Sequence, residues 1–80
     1  MIIDKETLRY EVKEFLRDTY DELEFLDSLD VIESSMMMEE EYDVEIPDAL
    51  VEQFMGYRSE VKFDDVVEFL IGQIQSQLNM

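Results

Sequence analysis

Between Phe63 and Leu78 the chain sets Phe63, Val66, Val67, Leu70, Ile71, Ile74 and Leu78 at the three- and four-residue spacing of a helix with one apolar face. A stripe that long must be covered, so the rest of the chain has to supply helices that pack on it. The spacing predicts a last helix over about residues 64–77, continuing through Gly72.

Leu8, Val12, Phe15 and Leu16 make a second stripe. It predicts a helix over about residues 5–17, with Asp4 as its cap and Glu6 in its first turn. Residues 18–27, DTYDELEFLD, keep no period and read as a loop that Tyr20, Leu23, Phe25 or Leu26 pins over the core. Another helix begins at Asp27 or Ser28 and runs to about Glu41. Leu29, Ile32 and Met36 share its expected buried face, which Met37 or Met38 and Tyr42 extend. With Asp27 as N-cap, Asp30 falls three positions on, an acid at the favourable end of the helix dipole, and Ser28 becomes the first helical residue. Tyr42-Asp43 leads into extended VEIP. Pro47 opens a short helix over about 48–55 that Gly56 ends, and a second loop covers about 57–62. No strand of convincing length is visible. The fold class is an all-α four-helix bundle, with three main helices and one short third helix, as a single domain over residues 1–80.

Twenty-two Asp and Glu against six Lys and Arg give a formal charge of −16. Phosphates would be repelled, so nucleic acid is excluded as a direct partner. Proteins with basic docking patches are favoured, because opposite fields speed encounter and set orientation. The plainer alternative is that the charge only keeps the domain in solution, and for EEEYDVE at 39–45 that reading is a solvated helix end. An apolar fraction of 46% is too high for an acidic disordered tail. No apolar run approaches the length that spans a bilayer, and MIIDKE lacks the basic opening of a secretory signal. The expected location is therefore the cytoplasm, without membrane insertion.

The chain contains no cysteine and no histidine, which removes disulfides, thiol chemistry and histidine metal sites; no metal site is expected. A catalytic serine needs a base within hydrogen-bond reach. Asp27 and Asp30 are poor bases for a hydroxyl at neutral pH when hydrated, and Lys5, Lys13 and Lys62 are not brought near Ser28 by the sequence. Two glycines cannot build a phosphate-cradling loop, and no calcium-loop spacing is present. No catalytic residues are assigned: this is not an enzyme acting alone.

The stretch DSLDVIESSMMMEEEYDVEIPD, residues 27–48, nevertheless resembles the central segment of acyl carrier proteins. Asp27-Ser28-Leu29, Glu33, Met36, Glu39-Glu40-Glu41, Tyr42 and Ile46-Pro47-Asp48 carry the resemblance, and FDDVVEFL from Phe63 resembles the start of that family's fourth helix. The resemblance implies a monomeric carrier with 4'-phosphopantetheine, drawn from coenzyme A by a phosphopantetheinyl transferase, attached to Ser28 and flanked by Asp27 and Leu29. It implies that acyl-activating and acyl-transferring enzymes of fatty-acid or related acyl metabolism dock by basic patches on Asp27, Asp30, Glu33, Glu40 and Glu41. It also implies an acyl pocket between the helices, with Ile32, Met36, Met38, Ile46, Phe63 and Val67 as lining.

Three departures accompany it. The first loop is short, and Phe25-Leu26 stands where the family has glycine. Ser34 and Ser35 replace apolar residues, and the stretch from Pro47 to Phe63 is longer than in the fatty-acid type. Two alternatives stay open: a carrier of an amino acid, similar to the D-alanyl carriers, and an acidic interaction module with no prosthetic group.

Overall fold

The terminal stripe forms helix α4 (Phe63–Leu78) in the computed structural model, which describes residues 4–20 and 23–78. The helices expected before it are α1 (Lys5–Tyr20), α2 (Ser28–Tyr42) and α3 (Asp48–Met55). Together they make the expected all-α four-helix bundle. From α4, Phe63, Val66, Val67, Leu70, Ile71 and Ile74 enter the core, where Leu8, Val12 and Leu16 of α1 meet them. Val51 and Met55 of α3 and Val31 and Met38 of α2 close the same cluster. Each fully buried aliphatic side chain contributes roughly 1.5–3 kcal/mol, which is why a few stripes hold a chain with so much like charge.

The two expected loops contain structure that periodicity did not predict. The first begins only after Tyr20, because α1 runs on beyond residue 17. Phe25–Asp27 then forms strand β1, which pairs antiparallel with strand β2, Glu60–Lys62. Phe25 faces Lys62, Leu26 faces Val61 and Asp27 faces Glu60, and the Phe63 amide donates to the Glu24 carbonyl at 2.9 Å. Of the four expected pins, Tyr20 and Leu26 are buried, while Leu23 and Phe25 lie on the surface. Both strands run without a break into helices, so the ladder ties the first turn of α2 to the first turn of α4. Leu26 and Val61 are buried in it, which accounts for Phe25-Leu26 in place of glycine: the segment is a strand with one side chain in the core, not an open turn.

The face that α2 buries is the main correction. Val31, Ser34, Ser35 and Met38 point inward; Leu29 is 67% exposed and Met36 56% exposed, with Ile32, Met37 and Tyr42 half-buried. At about 100° per residue, the expected and observed faces are centred about 140° apart. The cause is the two serines. The Ser34 hydroxyl donates to the Asp30 carbonyl at 2.8 Å and that of Ser35 to the Val31 carbonyl at 2.9 Å. A serine that returns its hydroxyl to its own helix buries no unmet polar atom, so it serves as a small core residue despite its polarity. In α1, Phe15 is likewise displaced from the expected stripe and stands 37% exposed, with Tyr20 completing the buried row instead.

Between α2 and α3, Asp43 ends α2 in the left-handed region at φ 55°, a conformation aspartate tolerates better than most residues. The extended segment after it is held by side chains: the Ile46 amide donates to Glu39 Oε2 at 2.9 Å, and Gln77 of α4 both accepts from the Glu45 amide at 2.8 Å and donates to its carbonyl at 2.7 Å. After α3, Gly56 at φ 58° lets the chain turn back, and the Arg58 guanidinium donates to the Met55 and Phe54 carbonyls. Phe54 stacks on Phe69 of α4 with ring centroids 4.5 Å apart.

Candidate functional site

Ser28 is the first residue of α2, and it is exposed. What positions it is a capping box made of two aspartates. The Asp30 amide donates to Asp27 Oδ1 at 2.9 Å and the Asp27 amide donates to Asp30 Oδ2 at 3.3 Å. The Asp27–Asp30 spacing predicted the cap; the return bond from Asp30 was not anticipated, because that position is usually filled by the longer Glu or Gln. Burial, with the nearby Asp27 carboxylate adding to it, pushes the Asp30 carboxyl above the ordinary carboxylate value.

A second layer lies beneath. The Tyr20 hydroxyl at the end of α1 donates to the Asp30 carbonyl at 3.1 Å and approaches Glu33 Oε2 at 3.3 Å. Burial raises the Tyr20 phenol above its usual value, the neighbouring carboxylates pushing the same way. Tyr20, Asp30, Glu33 and Ser34 therefore fix the first turn of α2 against α1. Sequence reasoning named Tyr20 as a loop pin and Ser34 as a departure; nothing in their spacing joined them, because the contact spans two elements.

No lysine or other base bonds to the Ser28 hydroxyl among the described residues. The arrangement offers a hydroxyl at the positive end of a helix dipole, presented to solvent on a rigid mouth. That suits a serine modified by another protein, and the positive end of the helix dipole would favour a phosphodiester attached there. The groups present thus fit a phosphopantetheine linkage.

The other candidate residues separate into groups. Leu29 lies beside Ser28 on the surface. Asp27, Glu33 and Glu40 are exposed and Asp30 partly so. Glu33 and Glu40 enclose Met36 and Met37 in a shallow cavity of about 310 Å³ on the outer side of α2. Glu41 belongs elsewhere, in a groove shared with α1. Of the expected pocket lining, Met38, Ile46, Phe63 and Val67 are brought together in the core and Ile32 packs against it. Met36 is not, because it rides on the outward face.

Among the described residues no group of His, Cys, Asp and Glu is arranged to hold a metal ion, and no helix is long and apolar enough to cross a membrane.

The phosphopantetheine attachment site family matches residues 4–59, which includes α1, the capped serine and all of α2 and α3. An acyl carrier protein of Campylobacter lari (strain RM2100 / D67 / ATCC BAA-1060) is 48% identical over 44 residues, 55% of this chain and 49% of that protein. The chain thus spans about half the length of this curated relative. No solved structure matches. The family match covers more than half of this chain, which therefore belongs to the phosphopantetheine attachment site (acyl carrier protein) family.

Proposed function

We propose that the chain carries acyl groups as thioesters on a 4'-phosphopantetheine arm joined to Ser28, and delivers them to enzymes of fatty-acid or related acyl metabolism. The observation that carries the residue assignment is the exposed Ser28 hydroxyl at the first position of a doubly capped helix, with Asp27 and Leu29 flanking it. In the loading step a transferase removes the hydroxyl proton and Oγ attacks the pantetheine-side phosphorus of coenzyme A. The phosphoanhydride bond breaks and adenosine 3',5'-bisphosphate leaves. The thiol at the free end of the arm supplies the thioester chemistry. This chain's own part is to hold the hydroxyl still and to present it.

Partner enzymes meet Asp27, Asp30, Glu33 and Glu40 around the arm. Each exposed pair is worth only about 0.2–1 kcal/mol, so docking is fast, weak and salt-sensitive, as a carrier serving several enzymes requires. Met38, Ile46, Phe63 and Val67, with Ile32 at the edge, are the residues a guest chain entering the bundle meets. The test is intact mass after incubation with coenzyme A and a broad-specificity phosphopantetheinyl transferase. One phosphopantetheine is gained by the parent and none by Ser28→Ala. If a panel of transferases fails to modify a demonstrably folded parent, the carrier reading falls and the acidic interaction module replaces it.

A further inference from the structure

Away from Ser28, a groove of about 400 Å³ lies between α1 and the far end of α2, lined by Tyr10, Glu11, Glu14, Phe15, Asp18, Glu41 and Tyr42. Glu41 lies about 20 Å along α2 from Ser28, at roughly 1.5 Å per residue, so an occupant here leaves the serine free. Two large side chains in the groove are left to water: Tyr10 is 67% exposed and Phe15 37%. They share the groove with four carboxylates.

The charges of α1 are sorted by face. Arg9 pairs with Glu68 at 2.6 Å and Lys13 with Asp64 at 3.6 Å, both on α4. Arg17 donates to the Leu23 carbonyl and lies 3.8 Å over the Phe63 ring. These three cations are thus turned to the α4 side of the helix, and the fourth, Lys5, also acts on Glu68 of α4. Glu11, Glu14 and Asp18 are left on the other side, and no lysine or arginine lines the groove. The acids make themselves felt: beyond burial, Glu11 and Glu41 hold the Tyr42 phenol above its ordinary value.

We propose that this groove is a second docking surface, at the end of α2 remote from Ser28, and that it takes a basic amphipathic segment of a partner protein. Aromatic faces ringed by carboxylates are what a guanidinium recognises, stacking on the ring while its edge donates to oxygen. A chain of net charge −16 repels a second copy of itself, nucleic acid and anionic membranes alike, which leaves a cationic protein segment as the complementary occupant. The consequence is a carrier that is held by one protein while its arm is used by another.

The test is an NMR titration of the full ¹⁵N-labelled chain with a synthetic peptide of alternating arginine and leucine, with a glutamate–leucine peptide as control. Shifts are expected at Tyr10, Glu11, Glu14, Phe15, Asp18, Glu41 and Tyr42, and not with the control. The double variant Tyr10→Ser/Phe15→Ser is expected to bind about tenfold more weakly, from two lost cation–aromatic contacts. Asp18→Lys with Glu14→Lys, both at exposed positions, gives the same loss if the aromatic variant fails to fold. Loading of Ser28 with phosphopantetheine is unchanged in these variants, so failure here is distinguishable from failure of the carrier reading. Shifts no larger in the groove than at Leu29, Glu33 and Glu40, unchanged affinity in the variants, or self-association through the groove by sedimentation would each overturn the proposal.

Discussion

Replacing a buried, hydrogen-bonded residue normally destabilises a small domain, yet Ser35→Ala is expected to stabilise this one. The Ser35 side chain is 2% exposed, and its hydroxyl donates to the Val31 carbonyl at 2.9 Å. That carbonyl also accepts the helical N–H of Ser35 itself, so removing the hydroxyl leaves no acceptor unmet. Back-bonding of this kind slightly weakens a helix, and alanine exceeds serine in helix propensity by about 0.5 kcal/mol. The two effects sum to a gain of about 0.5–1 kcal/mol, or about 2–8 °C in Tm for a domain this size. Ser34→Ala supplies the contrast. Its hydroxyl shares the Asp30 carbonyl with Tyr20 and lies within reach of the Tyr20 hydroxyl. The propensity gain is then offset by about 0.5–1.5 kcal/mol of lost network, giving neutrality or a small loss. Circular-dichroism melts and urea titrations of the parent and both variants at one ionic strength decide it. A loss above about 1 kcal/mol for Ser35→Ala, or equal changes in both variants, would refute the account of serine as a self-satisfied core residue.

Leu26→Ala removes the buried side chain that fastens β1 to Val61, and is expected to cost about 2–5 kcal/mol by urea unfolding; a cost under about 1 kcal/mol would show that the ladder is not packed as described. Lowering ionic strength from about 0.15 to 0.01 M lengthens the Debye length from about 8 to 30 Å. The radius of gyration is 11.8 Å, so at low salt every surface charge acts on every other, and Tm is expected to fall by several degrees. A Tm indifferent to salt would contradict the picture of concentrated repulsion. The phenols of Tyr20 and Tyr42 are both raised, chiefly by burial, so they favour the fold below about pH 10 and that contribution is lost as pH rises through their folded values. Alkaline melts should therefore decline from about pH 10 upward, less so in Tyr20→Phe, and a decline identical in that variant would remove Tyr20 as a cause.

How far the sequence was legible depended on whether a signal lay within one element. The α4 stripe lies within one helix, and the Asp27 cap, the Pro47 start and the Gly56 stop within a few consecutive residues each, and all four match the structure. The strands were not legible because three residues with one buried side chain have no period to detect, and their pairing joins positions 25–27 to 60–62. The α2 face failed for a different reason. A hydropathy reading assigns serine outward and methionine inward, and here Ser34 and Ser35 go in while Met36 goes out, a choice made by i−4 hydrogen bonds and by what α1 and α4 leave room for. The position of Ser28 at the start of α2 was legible in the sequence, but the support of that first turn by Tyr20 was not, since only the fold brings the end of α1 to the Asp30 carbonyl.

The inverted polarity of α2 bears directly on the proposed carrier function. A helix that buries two serines and one valine beside Met38 gains less from its core than one burying four large aliphatic residues, at about 0.8 kcal/mol per missing methylene. The same helix keeps Leu29, Met36 and part of Met37 at the surface, where flexible thioethers and an aliphatic tip can seat against varied partners. Its first turn, by contrast, is held from three sides: by the Asp27–Asp30 box, by Tyr20 from α1, and by the β1–β2 ladder that joins it to α4. Rigidity is therefore concentrated at the end that presents Ser28, and weak core attachment is spread along the rest. Under the proposed function, a modifying enzyme would use the first, and a bundle that loosens for a guest chain and closes again would use the second. One helix supplies both because its anchoring comes from hydrogen bonds at one end, while its apolar burial is thin along its length.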